Sequence, residues 1–114
     1  MASTDRPMSE FEQIDIHKAK ELMEHEAVTI VDIRDEGSYK EAHIPKAVSV
    51  GDNTLKSFLE KADKKKPLVC YCYHGHSSQS AARYFRLQGF EKVFSIIGGF
   101  EEWRTNNLTI EDAS

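Results

Sequence analysis

The run LVCYCYHGHSSQSAARYF, Leu68–Phe85, decides how the chain reads. Leu68 to Cys72 is apolar and β-prone throughout, as a strand buried on both faces is. Tyr73 to Ser77 reads as a loop that turns at Gly75. From Ser78 the residues Ala81, Ala82 and Phe85 form a stripe at helical spacing. Gly89 stands where a left-handed residue closes a helix. Strand, short loop and helix in that order make up half of a parallel β-α-β unit.

The alternation continues outward in both directions. Val28-Thr29-Ile30-Val31, Val48-Ser49-Val50 and Val93-Phe94-Ser95-Ile96 read as further strands, and Phe11 to Ile14 as an edge strand. A helix is predicted from Ile16, capped by Asp15, with Ala19, Leu22 and Met23 on one face. A second is predicted from Thr54, capped by Asn53, with Leu55, Phe58, Leu59 and Ala62 on one face. A last short helix follows a tight turn at Gly98-Gly99 and carries Phe100 and Trp103, the latter a core residue. The pattern predicts an α/β fold, a parallel sheet of about five strands with helices on both faces. The domain is expected to span 11–106, between a flexible N-terminal tail, 1–10, and a C-terminal tail, 107–114.

A chain of 114 residues, 39% apolar and 30% charged, has room for one core and needs no disulfides. A net charge of −4 argues against a nucleic acid or an anionic membrane surface as partner. Lys64-Lys65-Lys66 reads as a solvated loop before Pro67. No apolar run approaches the ~20 residues that span a bilayer. The first ten residues, MASTDRPMSE, are polar and hold no signal-peptide core. A cytoplasmic location is expected, in which Cys70 and Cys72 stay reduced.

Ligands of parallel sheets bind at the carboxyl ends of the strands, where the loop after Cys72 lies. Such a loop can turn several backbone N–H groups toward one point and form an anion-binding nest. The helix behind it adds unpaired amides and the positive end of its dipole. Gly75 permits the turn, and Ser77 and Ser78 can cap the helix or donate hydroxyls inward. A thiolate is favoured there, which makes Cys72 the candidate nucleophile. Cys70, inside the strand, is expected to be packed and inert. His74 and His76 either lend positive charge to an anionic substrate or face solvent. His17, His25 and His43 read as ordinary surface or core residues.

Two other chemistries meet objections. A cysteine phosphatase needs an arginine six positions after the cysteine to hold phosphate oxygens in bidentate fashion. That position is Ser78, and the nearest arginine is Arg83, more than a turn up the helix. Cys70, Cys72, His74 and His76 alternate as metal ligands on a flat strand could, but Gly75-His76-Ser77-Ser78 turns into a helix. No metal is expected.

Four segments resemble the rhodanese-like sulfurtransferases, and within them the small single-domain GlpE type. They are Val31-Asp32-Ile33-Arg34-Asp35; Tyr39 through His43-Ile44-Pro45 to Ala47; the loop from Cys72 to Ser78; and Ile97-Gly98-Gly99-Phe100-Glu101-Glu102-Trp103. The resemblance runs from about Phe11 to Trp103 and implies a single rhodanese-like domain. The chain departs from the family at Ala42 and Lys46, where glycine is common, and at Tyr73, His74 and Ser77, where basic residues or threonine often stand.

The resemblance implies a ping-pong thiosulfate sulfurtransferase without metal or organic cofactor. Cys72 would take the outer sulfur of thiosulfate, release sulfite, and pass the sulfur from its persulfide to cyanide or to a thiol acceptor such as a thioredoxin. Tyr73, His74, Gly75, His76, Ser77 and Ser78 would bind the substrate. A thiolate and a dianion repel by about 4 kcal/mol per unit-charge pair at ~4 Å and an effective dielectric near 20; converging amides offset this. An alternative of another class uses the same cysteine: a persulfide relay or docking module fed by a partner protein. Asp32 is expected to orient neighbours rather than to catalyse.

Overall fold

A computed structural model of the chain describes residues 10–112. Ten elements follow one another in alternation: β1 (Glu12–Ile14), α1 (Ile16–His25), β2 (Thr29–Asp32), α2 (Glu36–Glu41), β3 (Val48–Ser49), α3 (Leu55–Lys61), β4 (Leu68–Tyr71), α4 (Ser77–Leu87), β5 (Val93–Ile96) and α5 (Gly99–Thr105). The strands form one sheet in the order β1-β5-β4-β2-β3, every pair parallel. The α/β fold and its five-stranded parallel sheet are those expected. Among the described residues no helix is long and apolar enough to cross a membrane.

The period-two geometry of the strands sorts the core into two layers. Ile30, Val69, Tyr71 and Ile96 face one side, where they pack with Ala19, Leu22, Phe100 and Trp103 of α1 and α5. Val31, Leu68, Cys70 and Val93 face the other side, with Ala82 and Phe85 of α4 and the partly buried Phe58 of α3. All four residues of β4 are buried, which is why its sequence is apolar without alternation.

The topology places the site. The connection after β2 leads outward to β3, and the connection after β4 leads the opposite way to β5. Loops that part in opposite directions open a crevice between β2 and β4 at their carboxyl ends. Asp32-Ile33-Arg34 stands on one lip and Cys72 on the other. A buried network fixes that end of the sheet. The Tyr71 hydroxyl donates to Asp32 Oδ2 at 2.7 Å and accepts from the Ile44 amide at 3.1 Å. Arg34 Nη2 donates to the same Asp32 oxygen at 2.7 Å and to the Ala42 carbonyl at 2.6 Å. Burial, reinforced by the Asp32 charge, pushes the Tyr71 phenol well above its ordinary pKa and keeps it a donor. Asp32 thus orients its neighbours, as its place at the strand end suggested.

Several expectations need correction. Helix α2 was not foreseen: it is six residues long, contains Gly37 and buries no residue, so it has no apolar stripe to read. Its signal is the cap, Asp35 accepting from the Ser38 amide at 2.7 Å. Helix α3 is preceded by Thr54, not Asn53, at its cap, and no side-chain cap bond forms there. The 107–114 segment is not a free tail over its described part. Glu111 bridges His43 in antiparallel fashion through two backbone bonds of 2.7 and 2.8 Å. Thr109 accepts from Trp103 Nε1 at 2.8 Å, and Leu108 packs on the core. Of the expected N-terminal tail, residues 1–9 lie outside the described residues.

The two departures in the Tyr39–Ala47 segment differ in their consequences. Ala42 is extended, at φ −167°, a conformation open to any residue. Lys46 holds φ 68°, where a Cβ crowds the following carbonyl. Lys46→Gly should therefore raise stability by about 0.5–1 kcal/mol, after allowing for glycine's freer unfolded chain. Urea denaturation measures it; unchanged or lower stability would show that the turn carries no strain.

Candidate active site

Cys72 is the first residue past β4, at the bottom of a loop that closes around its sulfur. The Gly75 amide reaches Sγ at 3.1 Å and the Ser78 amide at 3.3 Å. The Ser78 hydroxyl lies 3.5 Å from the same sulfur. Cys72 is only 7% exposed. Burial by itself would raise its pKa. The Ser78 hydroxyl, the Ser78 amide, and the Gly75 and His74 amides together outweigh burial and hold the thiol below its usual value. The Ser78 amide belongs to the first turn of α4, so the helix's unpaired N–H groups point at the sulfur.

The loop keeps this shape because its carbonyls are engaged elsewhere. The Phe100 amide donates to the Cys72 carbonyl at 2.8 Å, and the Glu101 amide to the Tyr73 carbonyl at 2.9 Å. Gln79 Nε2 donates to the Gly75 carbonyl at 2.9 Å. With the carbonyls drawn outward, amides are left for the centre. Gly75, at φ 94°, lies against the Gly98 backbone so closely that a Cβ would stand 2.8 Å from the Gly98 nitrogen. Gly98 and Gly99 form the strand-to-helix turn that was expected. They also let two backbones touch, which sequence reading did not show.

The candidate residues divide into a floor and a rim. Cys72, Gly75 and Ser78 are buried and meet at the sulfur. Tyr73, His74, His76 and Ser77 are exposed around the opening. The Tyr73 ring tilts against His74 at 4.9 Å, and its hydroxyl accepts from Arg104 Nη2 at 3.3 Å. The Arg34 guanidinium lies 5.9 Å above the Tyr73 ring and 4.1 Å above the Phe100 ring. Neither Arg34 nor Arg104 was named as a candidate; both depend on folding for their position near the rim.

Cys70 lies below the loop, fully buried, with Sγ 3.4 Å from the Ser78 carbonyl and 3.5 Å from the Phe94 carbonyl. Burial pushes its thiol far above the ordinary range, and the neighbouring Cys72 adds to the rise, so Cys70 stays neutral. It does not join Cys72, His74 and His76 on one face: among the described residues no His, Cys, Asp and Glu side chains cluster as a metal site. Arg83, the arginine nearest in sequence to the loop, stacks 5.2 Å over the Phe11 ring.

Sequence reading missed Ser95. This residue of β5 is 1% exposed, and its hydroxyl lies 2.7 Å from that of Ser78. A signal was present, since a polar side chain in a buried strand must find a partner. Its identity could not be read from residues so far apart in the chain.

A buried sulfur under converging amide donors suits an anionic nucleophile. Known proteins share its frame. The profile of the rhodanese-like domain matches residues 15–106. The thiosulfate sulfurtransferase GlpE of Coxiella burnetii is 46% identical over 99 residues, covering 87% of this chain and 92% of that protein. That of Pseudomonas syringae is 48% identical over 98 residues, 86% of this chain and 92% of that one. Among solved structures, a rhodanese-like domain from Anabaena sp. superposes with a TM-score of 0.81 at 25% identity, covering 90% of this chain and 80% of that one. Sheet order, loop and sequence agree with one another, and the chain belongs to the rhodanese-like domain family.

Proposed function

We propose that the protein is a thiosulfate sulfurtransferase working through a persulfide on Cys72. The observation that carries this reading is the pair of amides from Gly75 and Ser78 aimed at one buried sulfur. The Cys72 thiolate attacks the outer sulfur of thiosulfate. The S–S bond of thiosulfate breaks and its electron pair leaves with sulfite. The persulfide anion then occupies the opening above Cys72, where the loop amides take its charge. Cyanide, or a thiolate acceptor, attacks the outer sulfur of the persulfide and restores the Cys72 thiolate. Each half is a displacement at sulfur, and neither requires a metal or organic cofactor.

Support comes from relatives, 43–48% identical, that carry the name thiosulfate sulfurtransferase GlpE. The exposed rim of Tyr73, His74, His76 and Ser77 is where thiosulfate enters, and a small protein thiol such as a thioredoxin suits it as acceptor. A reducing cytoplasm suits a chain whose two cysteines are both free thiols. The test is mass spectrometry of the protein mixed with thiosulfate, followed by cyanide. The expected result is a gain of one sulfur atom on the peptide carrying Cys72, lost again as thiocyanate, with turnover above that of a free thiol. Absence of sulfur on Cys72 would overturn the reading. A persulfide that forms only from a protein donor would favour the relay instead.

A further inference from the structure

We propose that Ser95, on β5, is a positioning residue that aims the Ser78 hydroxyl proton at Cys72. The inference rests on the reading of Cys72 as the nucleophile. Ser78 is fully buried and Ser95 is 1% exposed, and their hydroxyl oxygens are 2.7 Å apart. Among the described residues the Ser95 hydroxyl has no other hydrogen-bond partner. A buried hydroxyl left without an acceptor costs about 1–3 kcal/mol, so the Ser95 proton goes to Ser78 Oγ. Ser78 cannot return its own proton along the same contact. That proton turns instead to Cys72 Sγ, 3.5 Å away on the other side.

Counting protons gives the consequence. The chain Ser95–Ser78–Cys72 has two contacts. With Cys72 as a thiol, three protons compete for them and one goes unused. With Cys72 as a thiolate, two protons fill two contacts, running from Ser95 to Ser78 to sulfur. The pair therefore favours the charged form of the nucleophile, and Ser95 does so without touching it.

The test is the pH dependence of Cys72 alkylation by iodoacetamide in wild type, Ser95→Ala, Ser78→Ala and the double variant. Modification is assigned to Cys72 by fragmentation of the peptide that carries both cysteines, and buried Cys70 does not compete. The ionisable groups around the loop are unchanged in all four proteins: Cys70 below, Tyr73, His74 and His76 on the rim, Arg34 over Tyr73 and Arg104 at its hydroxyl. Ser78→Ala is expected to raise the Cys72 pKa by about one unit, because it removes a hydrogen bond to a charged acceptor. Ser95→Ala should raise it by about half a unit, since the freed Ser78 hydroxyl can turn to a local backbone carbonyl instead. The double variant should titrate like Ser78→Ala alone. Should Ser95→Ala fold poorly, Ser95→Thr keeps the donor and should titrate within about 0.2 units of wild type. A wild-type titration in Ser95→Ala, an additive shift in the double variant, or a raised pKa in Ser95→Thr would overturn the proposal. Alkylation needs no sulfur donor, so these outcomes stand apart from the thiosulfate experiment.

Discussion

Cys72→Ser should transfer no sulfur from thiosulfate to cyanide, a loss of about 10³-fold or more, and should still fold. Serine fills nearly the same volume and can occupy the same loop. Its hydroxyl cannot become an anion at neutral pH and cannot carry a sulfane sulfur. Cys70→Ala is the matched control: its thiol is fully buried and held neutral, and the variant should retain turnover with a modest loss of stability. A pH series sharpens the pair. The pKa of Cys72 is lowered on folding, so its contribution to stability is fully present above the unfolded value, near 8.5. That contribution is lost as pH falls through the folded value. Wild type should therefore gain stability relative to Cys72→Ser as pH rises toward the unfolded value of about 8.5, and that gain should vanish in acid. Residual transfer by Cys72→Ser, or stability curves that stay parallel across this range, would remove Cys72 from the mechanism.

The chain made its frame legible, a five-stranded parallel sheet, and pointed to a candidate site within it. Cys72 stood out because three local signals agreed: an apolar strand before it, a glycine turn after it and a helix start beyond. Gly75 and Ser78 followed from the same stretch, since a loop that short has few ways to turn its amides inward. What stayed hidden is what the sheet brings in from elsewhere. Ser95 faces Ser78 because β5 pairs with β4 in the register Cys70 opposite Ser95, and no single segment carries that register. Helix α2 stayed hidden for the opposite reason. It is too short and too exposed to impose a period, and only its Asp35 cap marks it. Glu111 was read as part of a tail because an edge contact with His43 leaves no pattern in the chain.

The second large effect is expected at Gly99→Ala, far in sequence from the nucleophile. Gly99 has φ 59°, and a Cβ placed on it would run into the Cys72 carbonyl oxygen and stand 2.7 Å from the Tyr73 carbonyl oxygen. These are the two carbonyls that Phe100 and Glu101 hold through their amides. The obstructing atoms are backbone, so no rotamer change relieves the contact. Either the loop from Cys72 to Ser78 or the first turn of α5 must move. Both movements break the bonds that turn the loop's carbonyls outward, and the amides of Gly75 and Ser78 lose their common focus on the sulfur. A displacement of ~1 Å at a reacting group costs on the order of 10²-fold in rate; strain and overpacking add about 2–4 kcal/mol of lost stability. Gly51→Ala is the control, because a Cβ there meets nothing within 4 Å, and it should change neither quantity. Thermal melts, kcat/KM for thiosulfate and the Cys72 alkylation rate separate the two consequences. In a Gly99→Ala protein that remains folded, the alkylation rate near neutral pH should fall along with activity, because the thiolate has lost its donors. Wild-type activity in Gly99→Ala would mean that the Cys72 loop holds its own shape, and the contact with α5 would have to be given up as the cause of the site's geometry.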